Sequence, residues 1–256
     1  VFDRPRPGSL RTAVVWEVLK EALERQAAMG GGPAESDEAV LHVLDTGGGT
    51  GTFAVPVARL GHCVTVAEPS PDALAALDRR AAEAGVTDLV HGVQADTGGL
   101  LDVAEPESAD VVLCHGVLEY VDDPAAALAN IATVLRRGGT ASLLTANRHG
   151  TVLARAVAGH FAEARGALTD PDGRWGDADP LPRRFTVEGL SRLVSSAGLR
   201  VGAVHGIRIF SDLVPGSLAD TDPGAAEELL RLERAAAEQP AFHAIATQLH
   251  LLVHRD

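Results

Sequence analysis

Lysine is almost missing from this 256-residue chain: Lys20 is the only one among 22 lysine and arginine residues. Charged contacts to an anionic ligand therefore fall to arginine, whose planar fork grips carboxylates and phosphates with a fixed geometry. Cysteine is equally scarce. Cys63 and Cys114 lie far apart and form no Cys-x-x-Cys pair, which excludes a disulfide scaffold and a cysteine-rich zinc site and favours a reducing setting. No window reaches the roughly 18 apolar residues of a membrane span, and the opening VFDRPRPGSLRTAVVWEVL holds no apolar targeting core. Acidic residues outnumber basic ones 35 to 22, a formal charge of −13, so a generally basic nucleic-acid coat is excluded while a local basic groove is not. What the chain does have is a 46% hydrophobic fraction, ample for a sizeable core. The expectation is a cytoplasmic protein with no membrane and no metal.

Hydrophobic periodicity divides the chain into alternating strands and helices. Apolar positions at helical spacing predict a helix over residues 10–28, ended by Gly30, Gly31, Gly32 and Pro33. A buried strand over 40–44 runs into a glycine turn and a helix over 53–60, with Pro56 near its first turn, where the missing N–H costs little. Further strands are predicted at 62–70, 89–96, within 109–121 and at 139–147, separated by helices at 71–84 and 124–135. This is the pattern of a parallel α/β sheet covered on both faces. Beyond it come a helix over 152–164, a loop crowded with Asp, Gly and Pro, a helix over 186–197, a strand over 199–209, a helix over 225–238 and a last strand over 246–254. One domain over 1–256 is expected, with an amino-terminal helical segment at 1–30 and a lid at 148–185 on the substrate side.

The strongest local signal is Asp45-Thr46-Gly47-Gly48-Gly49-Thr50-Gly51, directly after the first strand. Gly47, Gly49 and Gly51 let the backbone turn tightly and approach a ligand, although a glycine-rich loop is also an ordinary turn. Glu68 ends the second strand, where an acid can accept both hydroxyls of a ribose or simply face water. Asp96, after the third strand, either accepts an adenine amino group or caps a turn. No Gly-Lys-Ser or Gly-Lys-Thr follows the loop, which disfavours P-loop ATP hydrolysis. Carboxylates without nearby lysines suit a cationic nucleoside better than a pyrophosphate, while an unphosphorylated dinucleotide stays open on physics alone.

The series VLDTGGGTG, AEP, VQAD, DVVLCHGVLEYVDDP and VLRRGGTASLLTAN, over about residues 40–147, resembles the class I S-adenosylmethionine-dependent methyltransferases. The resemblance implies an α/β Rossmann-like fold, a seven-stranded mostly parallel sheet with an antiparallel last strand. It also implies S-adenosyl-L-methionine as cofactor and S-adenosyl-L-homocysteine as product. On that pattern Asp45, Gly47, Gly49, Gly51, Glu68, Pro69, Ala95, Asp96 and His115 hold the cofactor. A fuller resemblance, to the bacterial tRNA 5-carboxymethoxyuridine methyltransferases, rests on GSLR (8–11), CHGVLEYV (114–121), NRHG (147–150), AGHF (158–161), HGIRIFSDL (205–213) and LLRLERAAAEQPAF (229–242). It implies Arg11 at the cofactor carboxylate, Arg208 at the acceptor carboxylate, and Tyr120, Asn147 and Phe210 lining a nucleotide pocket. The partner it implies is the wobble uridine of a tRNA anticodon.

A carboxylate acceptor is already ionised at neutral pH and needs no general base, so catalysis rests on alignment and on balanced pairing by Arg208, helped by Arg148. His149 as a base would instead suit a hydroxyl acceptor. The segment 166–185 departs from the family's lysine-rich lid: Arg174, Arg183 and Arg184 stand against Asp170, Asp172, Asp177 and Asp179. That balance favours a small-molecule O- or carboxyl-methyltransferase as the alternative, with a non-catalytic adenosine-ligand protein as a third class.

Overall fold

A computed structural model of the chain describes residues 7–30, 39–214 and 223–256. Helix α1 (Pro7–Gly30) leads, and the expected Gly-Gly-Pro terminator after it lies outside the described residues. Then follow β1 (His42–Thr46), α2 (Ala54–Arg59), β2 (Cys63–Ala67), α3 (Pro71–Ala84), β3 (Val90–Val93), α4 (Leu100–Val103), β4 (Ala109–His115), α5 (Pro124–Val134) and β5 (Leu135–Ala146). The remainder comprises α6 (Arg148–Val157), α7 (Phe161–Thr169), α8 (Val187–Ser196), β6 (Arg200–Ile207), α9 (Pro223–Ala237), α10 (Pro240–His243) and β7 (Gln248–His254).

The strands form one seven-stranded, mostly parallel sheet in the order β3-β2-β1-β4-β5-β7-β6. β1 pairs in parallel with β2 and β4, setting Asp45 opposite Val66 and Leu113. The last strand is antiparallel to β5: Gly138 donates to the Arg255 carbonyl, and Asn147 to that of Thr247, so the register runs in opposite senses. The order reverses at β1 and β4, the place where open α/β sheets bind ligands beyond the carboxyl ends of their strands.

Local chemistry sets the helix ends. Ser70 Oγ accepts the Ala73 N–H, Pro71 starts α3, and Gly85 closes it at φ 70°. Asp123 caps α5 by accepting from Ala125 and Ala126. Pro56 falls inside the first turn of α2, where no partner for its N–H is needed. The helix expected over 152–164 is two helices. Gly159 takes a left-handed φ of 81°, which breaks the chain between α6 and α7 and reverses its course.

The chain falls into two compact units, one built on Leu19–Leu143 with short pieces at Arg192–Gly202 and Leu252–Asp256, the other on Leu144–Ser191 and Ala203–Leu251 with the first part of α1. In the first, Leu77, Leu100, Leu113, Leu118, Leu128, Ile131 and Leu135 are fully buried. Each contributes about 1.5–3 kcal/mol of transfer free energy. In the second, α6 lies directly on the segment before β7: a Cβ on Gly150 would fall onto the backbone carbonyl of Ala246. Gly150→Ala should therefore cost about 2–4 kcal/mol of stability in urea unfolding, against a fraction of that at Gly99, whose φ is −89° and where a Cβ would meet only ordinary van der Waals contacts.

Candidate active site

Gly47, Gly49 and Gly51, after β1, all adopt positive φ, at 68°, 57° and 81°. Two are also sterically obligatory. A Cβ on Gly47 would strike Val117 and one on Gly51 would strike Leu77, whereas the position of Gly49 opens onto empty space. The loop is tied to the end of β2 by one side chain. Glu68 accepts the Gly49 N–H at 3.0 Å through one carboxylate oxygen and the Ser70 N–H at 2.9 Å through the other. Each oxygen keeps a second lone-pair direction for a ligand hydroxyl.

Beside this loop lies a cavity of about 620 Å³, lined among others by Gly47, Glu68, Pro69, Asp96, Gly116 and Tyr120. Four of the six come from the predicted cofactor set. Asp96 also accepts the Gly99 N–H at 2.8 Å, so the turn-capping reading and the cavity-lining reading hold together. Thr97, Val117 and Asn130 line the wall without having been anticipated. Thr97 Oγ1 lies 2.9 Å from Thr46 Oγ1, a pairing that only the fold reveals. Ala95 is partly buried beside Asp96, and the Arg11 side chain lies outside the described residues.

Asp45 sits beneath the loop, 3% exposed. Burial, with the Glu68 charge second, pushes its carboxyl up to about 7. His115 is the converse case: burial holds its imidazole down at about 3, its Nε2 stands 2.8 Å from Ser142 Oγ, and its ring meets Phe53 edge-on at 4.6 Å. Among the described residues the cavity wall carries acids and no cation, and the His115 ring is neutral, electrostatics that suit a cationic ligand.

A second cavity, about 420 Å³, belongs to the other unit and includes Arg155, His160, Arg184 and Arg208 in its walls. AGHF supplies Ala158 and His160 to its wall and HGIRIFSDL supplies Arg208, while two further motif segments brace the chain around it. Arg208 stands at φ 59°, a strained conformation for a side chain with a Cβ, and its carbonyl accepts both the N–H and Oγ1–H of Thr247. Just after it, the N–H groups of Ile209, Phe210 and Ser211 all donate to the buried carboxylate of Glu233 at 2.9, 3.0 and 2.7 Å. Glu233 thus locks HGIRIFSDL to LLRLERAAAEQPAF. Asn147, 1% exposed, donates through its amide to the carbonyls of His243, Ala244 and Ala246, and its oxygen accepts the His149 N–H. That side chain clasps NRHG to the segment before β7.

Tyr120 therefore lines the glycine-loop cavity, while neither Asn147 nor Phe210 appears in the wall of either cavity; Phe210 packs edge-on against Phe242 at 5.6 Å. Arg148 is also committed elsewhere. Its guanidinium closes the end of α7 by donating to the carbonyls of Ala167, Leu168 and Asp170. The arginines that line the cavity beside Arg208 are Arg155, from α6, and Arg184, from the strap after α7.

A methyltransferase-domain family model matches residues 44–143. The tRNA 5-carboxymethoxyuridine methyltransferase of Escherichia coli O157:H7 is 30% identical over 251 residues, covering 97% of this chain and 89% of that protein. This chain belongs to the class I S-adenosylmethionine-dependent methyltransferases. The methyltransferase is also similar to the ubiquinone biosynthesis O-methyltransferase of Cupriavidus pinatubonensis, 36% identical over 117 residues and 46% of each chain. Among solved structures, a Mesorhizobium loti S-adenosylmethionine-dependent methyltransferase shares the fold at a TM-score of 0.59 and 19% identity, covering 96% of this chain and all of that one.

S-adenosylmethionine is the cofactor of this methyltransferase, and the cradle fits it. Gly49 leaves room for backbone approach, Glu68 retains acceptor capacity, and among the described residues no cation lines the acidic wall. Among the described residues no helix is long and apolar enough to cross a membrane.

The raised carboxyl of Asp45 has a consequence for stability. Its folded value near 7 exceeds an unfolded value near 3.9, so the folded state binds the extra proton in between, and stability falls as pH rises through that interval. Asp45→Asn, which cannot ionise, should gain on the wild type as pH is raised from about 4 to about 7 in denaturant unfolding, and the gap should level off above. A constant gap across that window would contradict the burial of an ionisable proton there.

Proposed function

We propose that this methyltransferase forms the methyl ester of a 5-carboxymethoxyuridine in tRNA, in the cytoplasm. The observation that carries the reading is the arginine-lined cavity. AGHF and HGIRIFSDL, segments outside the generic cofactor motifs, supply Ala158, His160 and Arg208 to its wall, LLRLERAAAEQPAF holds HGIRIFSDL in place through Glu233, and the likeness to the tRNA enzyme spans 97% of the chain.

The cofactor supplies an electrophilic methyl group on a positively charged sulfur. In this reading Glu68 takes the ribose, Asp96 the adenine edge, and the turn at Gly47, Gly49 and Gly51 the amino-acid end, with Pro69, Ala95 and His115 around them and Arg11 at the carboxylate. A bound cofactor would give its methyl group to a carboxylate oxygen that is already ionised at neutral pH, the carbon–sulfur pair staying with sulfur, so no side chain here would have to take a proton. What the protein must do is align, exclude water and hold the carboxylate without quenching it.

Arg208 is suited to that task. Its Nε and Nη2 both donate to one oxygen of Asp212, at 3.2 and 2.6 Å, so part of its charge is already balanced and Nη1 remains for an acceptor oxygen. Arg184 adds a second donor. Its terminal nitrogens are fixed on Asp179 and the Gly173 carbonyl, while its buried Nε has no hydrogen-bond partner among the described residues. A buried orphan donor costs about 1–3 kcal/mol until an acceptor meets it.

A small-molecule carboxylate is the second reading, favoured by the exposed acids Asp172 and Asp177 on the strap. The decisive experiment is methyl transfer to total tRNA from cells lacking this activity, followed by nucleoside mass spectrometry. The methyl ester of 5-carboxymethoxyuridine is the expected product; label appearing only in small carboxylates would overturn the tRNA assignment. Two variants should dissociate the sites. Glu68→Ala should weaken cofactor binding about 10- to 100-fold, the equivalent of one or two charge-assisted hydrogen bonds, with acceptor KM little changed. Arg208→Ala should do the reverse, and since alanine meets the same left-handed cost at φ 59°, the comparison isolates the guanidinium.

A further inference from the structure

We infer that the outer face of the α6–α7 hairpin is an RNA-docking surface, with Phe161 as a stacking platform for an unpaired base next to the target nucleotide and Arg165 as a phosphate contact. The inference rests on the tRNA reading and assigns it a place on the molecule.

The burial pattern of α7 is inverted. Its buried face holds only Ala164 and Ala167, whereas Phe161 is 71% exposed and Leu168 53% exposed. Phe161, Arg165 and Leu168 are spaced i, i+4, i+7 and so share one helix face, and Val157, 66% exposed, ends α6 at the same corner. Burying a phenylalanine in the core is worth about 1.5–3 kcal/mol, so a large apolar side chain held out in water at a fixed corner marks a contact surface.

Charge selects the occupant. Residues 148–169 carry three arginines against one glutamate, in a chain whose formal charge is −13. Glu163 is already engaged by Arg155 at 2.9 Å, while Arg165 is exposed and makes no ion pair among the described residues. Exposed aromatic surface beside an uncommitted arginine is the combination that single-stranded RNA uses, one group for base stacking and one for phosphate.

The surface is also continuous with the acceptor cavity. Ala158 and His160 line that cavity together with Arg155 and Arg208, and Phe161 is the next residue in the chain. A nucleotide whose carboxylate reaches Arg208 therefore leaves its neighbour in the strand at the rim where Phe161 stands. Arg155 is itself held in place, its guanidinium 4.3 Å over the Trp175 ring, so the rim is a defined shape.

The test is steady-state kinetics on tRNA carrying 5-carboxymethoxyuridine, with Phe161→Ala, Phe161→Tyr and Arg165→Ala. Phe161→Ala should raise the KM for tRNA about tenfold, the loss of one base–aromatic stack, with kcat and S-adenosylmethionine affinity unchanged and Phe161→Tyr close to wild type. Arg165→Ala should lower the slope of log KM against log salt by about 0.7–0.9, one phosphate contact. A tRNA KM for Phe161→Ala within about twofold of wild type, on an enzyme that does methylate tRNA, would overturn the surface and leave the function standing. A wild type inert on tRNA would remove both. A wild-type dimer in sedimentation that Phe161→Ala converts to monomer would give the face to a second copy of the chain instead.

Discussion

The glycine loop keeps its shape because one carboxylate ties it down. Glu68 joins the turn after β1 to the turn after β2 by accepting the N–H groups of Gly49 and Ser70, one on each oxygen. Without that bridge, a loop with three glycines at positive φ would retain much of the freedom glycine has in an unfolded chain. With it, the loop is fixed before any ligand arrives, and the cost of ordering has already been met by folding. The same arrangement sets the electrostatics. Burial, with the neighbouring Glu68 carboxylate second, disfavours ionisation of Asp45, and the outcome is a carboxyl near 7 under the loop. A cationic cofactor relieves that tension, so the fold has placed its least comfortable group where a positive ligand is most welcome.

The other unit depends on a comparable device run in the opposite sense. Here the buried carboxylate of Glu233 collects three successive N–H groups and so bends the chain immediately after Arg208 into position. The left-handed backbone of Arg208 is affordable only because its neighbours over-determine it, from Glu233 on one side and Thr247 on the other. Around it, Asn147 and Arg148 direct their side-chain N–H groups at backbone carbonyls, and Arg184 directs its own at Asp179 and the Gly173 carbonyl. They act on the shape of the cavity, while Arg208 is left with donors to spare.

Much of the sheet could be read from the residues because its signals are local. Ser70-Pro71 before an alanine-rich run and Gly85 after it define α3 to the residue, and the alternation of short apolar runs with helices implies the parallel half. The glycine loop was legible for the same reason. What was not legible depends on partners distant in sequence. Gly159 reads as one glycine within a helical pattern, and only the reversal of the chain shows it as the break between α6 and α7. Nothing local in the string marks Glu233, because the three N–H groups it meets lie more than twenty residues earlier. Arg148 and Asn147 carried the right chemistry for a ligand, and the backbone carbonyls that occupy them cannot be seen in a linear string.

Charge counting misleads in a related way over the strap that follows α7. Three arginines against four aspartates describe a weakly acidic segment, but a count treats every charge as facing water. Asp179 does not: its side chain is fully covered and accepts both terminal nitrogens of Arg184 together with the Trp175 and Leu181 N–H groups. Burial opposes its charge, yet those donors outweigh burial and hold its carboxyl below the usual range. Asp170 spends an oxygen on the Asp172 and Arg174 N–H groups. The field an approaching polyanion meets is set by the charges left over after such pairing, and by where they stand. Arg165, exposed and in no ion pair among the described residues, stands beside exposed aromatic surface on α7, so a strap poor in lysine and a chain of −13 are compatible with an RNA partner approaching from that side.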